Sequence, residues 1–286
     1  MQTFPLSRHQ VTRIGFGAMQ LPGRGVMGPP RDRDEAIAVL RRAVEAGVNH
    51  IDTAQYYGPD VSNELIHTAL HPYGDDLALV SKVGARRDEQ GGWLPWDAPE
   101  QLRQGIEDNL RSLEIDQLAA VNLRVMDGAP AEPDQKFDDQ LGAMIEAKDD
   151  GLIAGIGLST ITEAQLRHAL QQTEIACVQN PYNLLARDSQ PVLDLCTERG
   201  IAFVPYFPLG SAFHATNPVL THPEVLAAAE RLGRAPAQVV LAWTLTVAPN
   251  VLVIPGTSSL NHLEENLAVA DIELDAGTKA ILDSLV

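Results

Sequence analysis

GVNHIDTAQYYG, residues 47–58, carries a helix stop, a strand and a polar loop in one short stretch. Just upstream, residues 34–46 place Ile37, Leu40 and Val44 on one helical face. Gly47 then ends that helix, because glycine enters the left-handed conformation without a Cβ penalty. Residues 48–53 form a short apolar run with the length of a buried strand, and the run gives way to Asp52, Thr53, Tyr56, Tyr57 and Gly58. The unit is therefore a helix, then a strand, then a polar loop.

The same unit recurs outward in both directions. Apolar runs lie at 14–19, 48–53, 77–83, 118–125, 153–158, 175–179, 201–206 and 251–254, eight in all. Stretches with a 3.6-residue period lie at 34–46, 99–113, 137–150, 163–171, 189–199 and 237–247. Alternation of this kind predicts α/β architecture with a parallel sheet. Eight units predict a closed (β/α)8 TIM barrel, a single domain spanning residues 1–286, and 286 residues suit a fold of roughly 250. The competing architecture is an open doubly wound sheet. That fold usually carries a Gly-rich fingerprint at its first strand–helix turn. IGFGAM at 14–19 offers only G-x-G and continues as Gln-Leu-Pro, which is no helix start. Two long non-helical stretches, 84–98 with Trp93 and Trp96 and 208–223, follow apolar runs and so belong to the C-terminal face, where barrel sites are built.

Lys plus Arg number 21 and Asp plus Glu 38, a formal charge of −17. Nucleic acid is disfavoured as a partner, since phosphate backbones need a basic face. A small anionic ligand held by a local cation cluster is not excluded. Cys177 and Cys196 belong to no CxxC or Cys/His motif, so no metal site and no disulfide framework is expected. No basic segment followed by an apolar core opens the chain, and no run reaches the roughly 18 residues of a membrane helix. The expectation is a reduced cytoplasmic protein without membrane partners, a monomer or weak homo-oligomer.

Chemistry on a barrel belongs where apolar strands end in polar residues. The ends carry Asp52, Thr53, Tyr56 and Tyr57; Ser81 and Lys82; Asn122 and Arg124; Ser159 and Thr160; Gln179 and Asn180. Each has a structural explanation taken singly: a cap, an ion pair or a packed ring. Together, an Asp–Lys pair beside a tyrosine is a device for lowering a phenol's pKa, because a nearby ammonium favours the phenolate. Such a phenol gives and takes protons nearer neutrality.

Four motifs are similar to those of the aldo-keto reductase family and occur in family order over nearly the whole chain. GVNHIDTAQYYG (47–58) resembles the family's D-T-A-x-x-Y-G signature, and LVSKVG (79–84) its lysine strand. GIAFVPYFPLG (200–210) resembles the strand that stacks an aromatic ring on nicotinamide, and VIPGTSSLNHLEENL (253–267) the closing motif at the adenosine phosphate. The resemblance implies that Tyr57 is the general acid/base, tuned by Asp52 and Lys82. It implies that Ser159, Thr160 and Gln179 hold the carboxamide and that Tyr206 stacks on the ring. Phe207, Leu209, Gly210 and Ser211 would line the pyrophosphate, and Thr257, Glu265 and Asn266 would reach the adenosine. Arg124, Trp93 and Met19 would face the substrate. No metal is required. The implied reaction is hydride transfer from NADPH to an aldehyde.

The chain departs from the family at four positions. Arg124 stands where the family usually has His, and Thr160 where Asn is common. Gly256 and His262 replace the Lys and Arg that hold the 2′-phosphate, which weakens the preference for NADP(H) over NAD(H) without reversing it. GAMQLPG at 17–23, KVGARR at 82–87, VNLRVM at 121–126 and the missing His are similar to the bacterial branch that interconverts pyridoxal and pyridoxine. Arg124 would then contact an aldehyde with an adjacent anionic oxygen; the alternative is that it pairs with an acidic neighbour such as Asp52 and only shapes the pocket. A broad-specificity aldehyde or ketone reductase, and an NADPH-binding redox-sensing regulatory subunit with slow turnover, are the competing functions. A two-carboxylate glycosidase is disfavoured, because no pair of acidic strand ends is present.

Overall fold

The structure, a computed structural model, describes residues 1–126, 130–210 and 217–285. β1 (Thr3–Leu6) and β2 (His9–Thr12) form an antiparallel hairpin, which the sequence reading did not anticipate. β3 (Phe16–Gly17) leads to α1 (Arg33–Glu45), and β4 (His50–Asp52) leads to α2 (Val61–Leu70). β5 (Ala78–Arg87) folds back as β6 (Trp93–Trp96) before α3 (Pro99–Leu113). β7 (Ala120–Arg124), β8 (Ile156–Ser159) and β9 (Ile175–Gln179) are followed by α4 (Gln135–Asp149), α5 (Glu163–Ala169) and α6 (Gln190–Arg199). β10 (Ala202–Phe203) precedes α7 (Pro223–Leu232), α8 (Pro236–Val247), α9 (Leu260–Leu267) and α10 (Ala276–Asp283).

The parallel order is β3-β4-β5-β7-β8-β9-β10. The eighth expected run, 251–254, closes the circle through single bridges: Val251 pairs with Phe203 and Val253 with Ile14, both parallel. Leu252 N–H donates to the Phe203 carbonyl at 2.9 Å, and Gly15 N–H to the Val253 carbonyl at 2.8 Å. The fold is α/β, a (β/α)8 barrel. Helices α2, α7, α9 and α10 are additions to those read from periodicity. The segment 84–98 is also more regular than expected, because β5 runs on to Arg87 and pairs with β6.

Strand alternation sorts the core into two layers. Ile51, Leu79, Val121, Leu123, Leu158 and Val178 face outward and pack under the helices. Ala78, Val80, Ala120, Cys177, Ala202 and Leu252 fill the barrel's lower interior with Leu6 and Val11 of the hairpin. Higher on the same inner faces come Asp52, Lys82, Arg124, Ser159 and Gln179. The interior thus passes from apolar at the plugged end to polar at the open end. Gly84 is required where β5 bends outward: its φ is +107°, and a Cβ there would strike the Arg124 carbonyl.

Candidate active site

Asp52, at the end of β4, sits at the centre of the mouth and is 2% exposed. One carboxylate oxygen takes Lys82 Nζ in a buried ion pair, and the other accepts from Gln179 Nε2 at 2.6 Å. Lys82 also donates to the Thr53 carbonyl at 3.0 Å. Its ammonium lies over the Tyr57 ring, 5.2 Å from the centroid. Strands β4, β5 and β9 therefore meet through one carboxylate. A charge buried this deeply is tolerated only when its oxygens are engaged.

Strand parity also decides which polar strand ends reach the mouth. Thr53, Ser81 and Asn180 follow or precede the inward residues by one and turn outward. Thr53 donates to Asn63 Oδ1 at 2.8 Å and Ser81 to Asn109 Oδ1 at 2.6 Å, tying β4 and β5 to α2 and α3. Asn180 accepts from the Ile161 amide at 3.1 Å. These three brace the scaffold from outside the mouth.

Tyr57 and Tyr56 are both buried, ring to edge, with centroids 5.5 Å apart. Trp93 of β6 stands edge-on to Tyr56 at 5.4 Å, and Met19, Trp93 and Met126 pack around the pair. Arg124 lies over the Trp93 ring at 4.9 Å, while Arg87 covers that ring at 4.1 Å. Arg124 makes no ion pair among the described residues, so the alternative pairing with Asp52 does not occur. Met126 and Arg87 were not singled out from sequence. Met126 lies two residues after Arg124, just past the run at 118–125.

At Tyr57, burial and charge act against a lowered phenol pKa. Burial pushes its phenol upward, the Asp52 carboxylate pushes the same way, and the Arg124 guanidinium opposes them. Lys82 faces the ring and is paired with Asp52, so it does not act as a free ammonium beside the hydroxyl. The phenol keeps its proton through the neutral range. Tyr56 is also driven up, first by burial, and its sealed hydroxyl faces the Arg124 guanidinium, which pulls it back down. His50, two residues before Asp52, is fully buried with both ring nitrogens unpartnered. Burial brings its pKa down to about 4 against a weaker upward pull from Asp52. Neither feature was read from sequence.

The remaining expected residues form two further groups. Ser159 is buried, and Thr160, in the left-handed region with φ +62°, exchanges a hydrogen bond with the Tyr206 hydroxyl at 3.2 Å. Tyr206 and Phe207 stack edge to face at 5.2 Å, and the Gly210 N–H donates to the Phe207 carbonyl at 2.9 Å. The Leu209 carbonyl accepts from Asn217 at 2.7 Å. Ser211 lies outside the described residues. At the other end Thr257 is buried and its hydroxyl accepts from the Ser259 amide, the residue before α9, at 3.0 Å. His262 and Glu265 are exposed and Asn266 half-buried on α9, spaced to share one helix face. Gly256 backs so closely on Gly17 that a Cβ at either position would strike a backbone carbonyl.

The Aldo/keto reductase family profile matches residues 13–286. The chain is 46% identical over 286 residues to pyridoxine 4-dehydrogenase of Escherichia coli (strain K12), covering 99% of this chain and 98% of that protein. It is 38% identical to an uncharacterized oxidoreductase of Schizosaccharomyces pombe, covering 96% and 86%. A crystal structure of a thermostable aldo-keto reductase with the inhibitor epalrestat superposes with a TM-score of 0.82 at 29% identity, covering all of both chains. An aldo/keto reductase from Klebsiella pneumoniae in complex with NADP and acetate gives 0.81 at 27%, covering 99% and 95%. The matched region contains every strand of the barrel and each group of residues at its mouth, and the chain belongs to the aldo/keto reductase family.

Proposed function

We propose that this chain, one domain over residues 1–286, reduces an aldehyde to an alcohol with NADPH, and that the aldehyde is pyridoxal, giving pyridoxine reversibly. The observation that carries the reading is the Asp52–Lys82 pair set against the ring of a protonated, buried Tyr57 at the open end of the barrel. Identity to a pyridoxine 4-dehydrogenase over nearly the whole chain supports the choice of substrate.

The residues present suit the cofactor. Hydroxyls of Ser159 and Thr160 and the buried amide of Gln179 offer the donors and acceptors a carboxamide needs. The close backbones of Gly17 and Gly256, with no side chain between them, leave an uncluttered edge beside Thr257. Tyr206 would stack on the nicotinamide; Phe207, Leu209, Gly210 and Ser211 would line the pyrophosphate; Thr257, His262, Glu265 and Asn266 would hold the adenosine end. When bound, NADPH supplies the hydride.

The chain's own part is acid catalysis and positioning. Tyr57, held protonated by burial, gives its proton to the carbonyl oxygen as negative charge develops there. Lys82 and Gln179 fix Asp52, and Lys82 in turn supports the Tyr57 ring. Arg124, free of carboxylate partners among the described residues, holds the phenolic oxygen next to the pyridoxal aldehyde. Trp93 and Met19 wall the mouth and exclude water. The test is a spectrophotometric panel of aldehydes, pyridoxal among them, with NADPH and NADH in parallel. Pyridoxal with NADPH is expected to give the highest kcat/KM. Equal turnover of all aldehydes would instead mark a broad-specificity reductase, and a burst without steady turnover a redox sensor.

A further inference from the structure

Sequence position 67–71 reads HTALH, two histidines one helical turn apart at the end of α2. Residues at i and i+4 share a helix face, so both imidazoles project to one side. Glu114, the residue after α3, meets them there. One ligand-capable atom from each of His67, His71 and Glu114 lies within 4.8 Å of the other two. Helices of this barrel run back against the strands, so their C-terminal ends lie on the face opposite the mouth. The cluster is thus separate from the site described above.

Three observations point to a cation as its occupant. His67 Nε2 is sealed from solvent and makes no hydrogen bond, although it lies 3.4 Å from Glu114 Oε2. That spacing is poor for a hydrogen bond, yet it matches the edge of a tetrahedron with bonds of about 2.0–2.1 Å, which is roughly 3.3 Å. Next, Glu114 holds a left-handed backbone, φ 52° and ψ 51°, at a position where glycine is favoured, so a carboxylate is kept there at the expense of local strain. Finally, the ring of His71 stands beside the cluster. It lies 4.8 Å from the His67 ring and edge-on to Tyr73 at 5.4 Å, and the Tyr73 hydroxyl donates to the carbonyl of Leu113, next to Glu114, at 2.8 Å.

The geometry points to a binding site for a borderline divalent cation such as zinc, held by His67, His71 and Glu114 with solvent completing the coordination. Two imidazoles and one carboxylate are a donor set for Zn2+ and not for Mg2+ or Ca2+, which take oxygen ligands. The His71 backbone is held by its N–H donating to the His67 carbonyl at 3.0 Å and by Pro72, which follows it. Rotation of the exposed His71 ring alone completes the site. A bound ion joins α2 to the end of α3 and acts as a clip on the fold, because only the native state brings Glu114 to the two histidines.

The experiment uses the full chain without a histidine tag. Zn2+ is titrated against a chromophoric chelator, with Mg2+ as the control, and thermal unfolding is followed alongside. The expected result is one saturable Zn2+ site, a Tm that rises with Zn2+ and not with Mg2+, and Co2+ absorption typical of a four-coordinate ion. His71→Gln and Glu114→Gln should each weaken binding by at least about tenfold. Both should leave NADPH-dependent aldehyde reduction unchanged, since neither lies at the mouth. Absence of saturable binding, or binding that survives both substitutions undiminished, overturns the assignment.

Discussion

Gln179 Nε2 donates to Asp52 Oδ2 at 2.6 Å, a bond between β9 and β4 across the mouth of the barrel. The family resemblance gives Gln179 to the nicotinamide carboxamide. The structure gives its amide a partner inside the protein as well. Gln179→Leu leaves one oxygen of a buried carboxylate unsatisfied. The expected loss of stability is about 1.5–3 kcal/mol, the range for a hydrogen bond to a charged group. Urea unfolding checks it, and an unchanged midpoint would show that Asp52 does not depend on this bond.

The two adjacent tyrosines separate cleanly by substitution. Tyr57→Phe removes the proposed proton donor and keeps the ring, so NADPH affinity should persist while reduction falls by about 10²–10⁴-fold. Tyr56→Phe removes a buried hydroxyl whose neighbour is the Arg124 guanidinium. That hydroxyl is not the proposed proton donor, so its loss should change stability by no more than about 1 kcal/mol and spare most turnover. Near-normal kcat in Tyr57→Phe with a collapse in Tyr56→Phe would reverse the assignment.

His50 makes stability depend on pH. Its folded pKa of about 4 lies below the ordinary value of 6.5, because burial disfavours the imidazolium. Between those values the unfolded chain binds a proton that the folded chain refuses. Stability is therefore fully present above about pH 6.5 and declines as pH falls toward 4, by roughly 3 kcal/mol at the end of the window. His50→Phe should flatten that part of the profile. Urea midpoints between pH 5 and 7.5 decide the matter.

Much of this architecture was readable because strand and helix periods differ. The eight apolar runs and the helix at 99–113 appear at the expected places. The eighth run was legible even though it makes only single bridges, since its apolar character reflects burial and not ladder length. What escaped was set by tertiary contact. Thr53 and Ser81 look like mouth residues in the sequence, yet one-residue parity turns them outward to Asn63 and Asn109. The Asp52–Lys82 pair is legible in the motifs, but the depth at which Tyr57 is buried is not, and burial is the first cause of its raised pKa. Arg87 reaches Trp93 only because residues 84–96 form a hairpin, which no local pattern announced.

Coenzyme choice is testable at the adenosine end. Gly256 replaces a family lysine, but a Cβ there would collide with the Gly17 carbonyl. Gly256→Lys should therefore destabilise the protein and fail to improve NADPH binding. His262 is exposed on α9, and His262→Arg adds a permanent planar donor fork suited to a phosphate. It should tighten NADPH by roughly tenfold, about 1.4 kcal/mol, and leave NADH unchanged. Fluorescence titration with both coenzymes reads the outcome; equal tightening of the two would remove His262 from the 2′-phosphate site.

Arg124 carries the substrate assignment. A neutral histidine in its place would offer the carbonyl a single donor, whereas a guanidinium offers a fixed charge and a fork. In the structure it rests 4.9 Å over Trp93, with Arg87 at 4.1 Å on the same ring. Two cations share one indole, and neither has a carboxylate partner among the described residues. Their mutual repulsion appears in Arg87, whose pKa is lowered first by burial and further by Arg124 after a partial offset from Asp88. An anionic oxygen entering beside Arg124 relieves that repulsion, and an uncharged aldehyde does not. Pyridoxal brings such an oxygen next to its carbonyl. Arg124→Met should therefore lose about 1.5–3 kcal/mol of transition-state binding on pyridoxal, roughly tenfold to a hundredfold in kcat/KM. The same variant should lose much less on benzaldehyde, where only the packing on Trp93 changes. Raising the salt concentration should weaken the pyridoxal reaction of the wild type more than that of Arg124→Met. A parallel fall on both aldehydes would mean that Arg124 shapes the pocket without reading the substrate's charge.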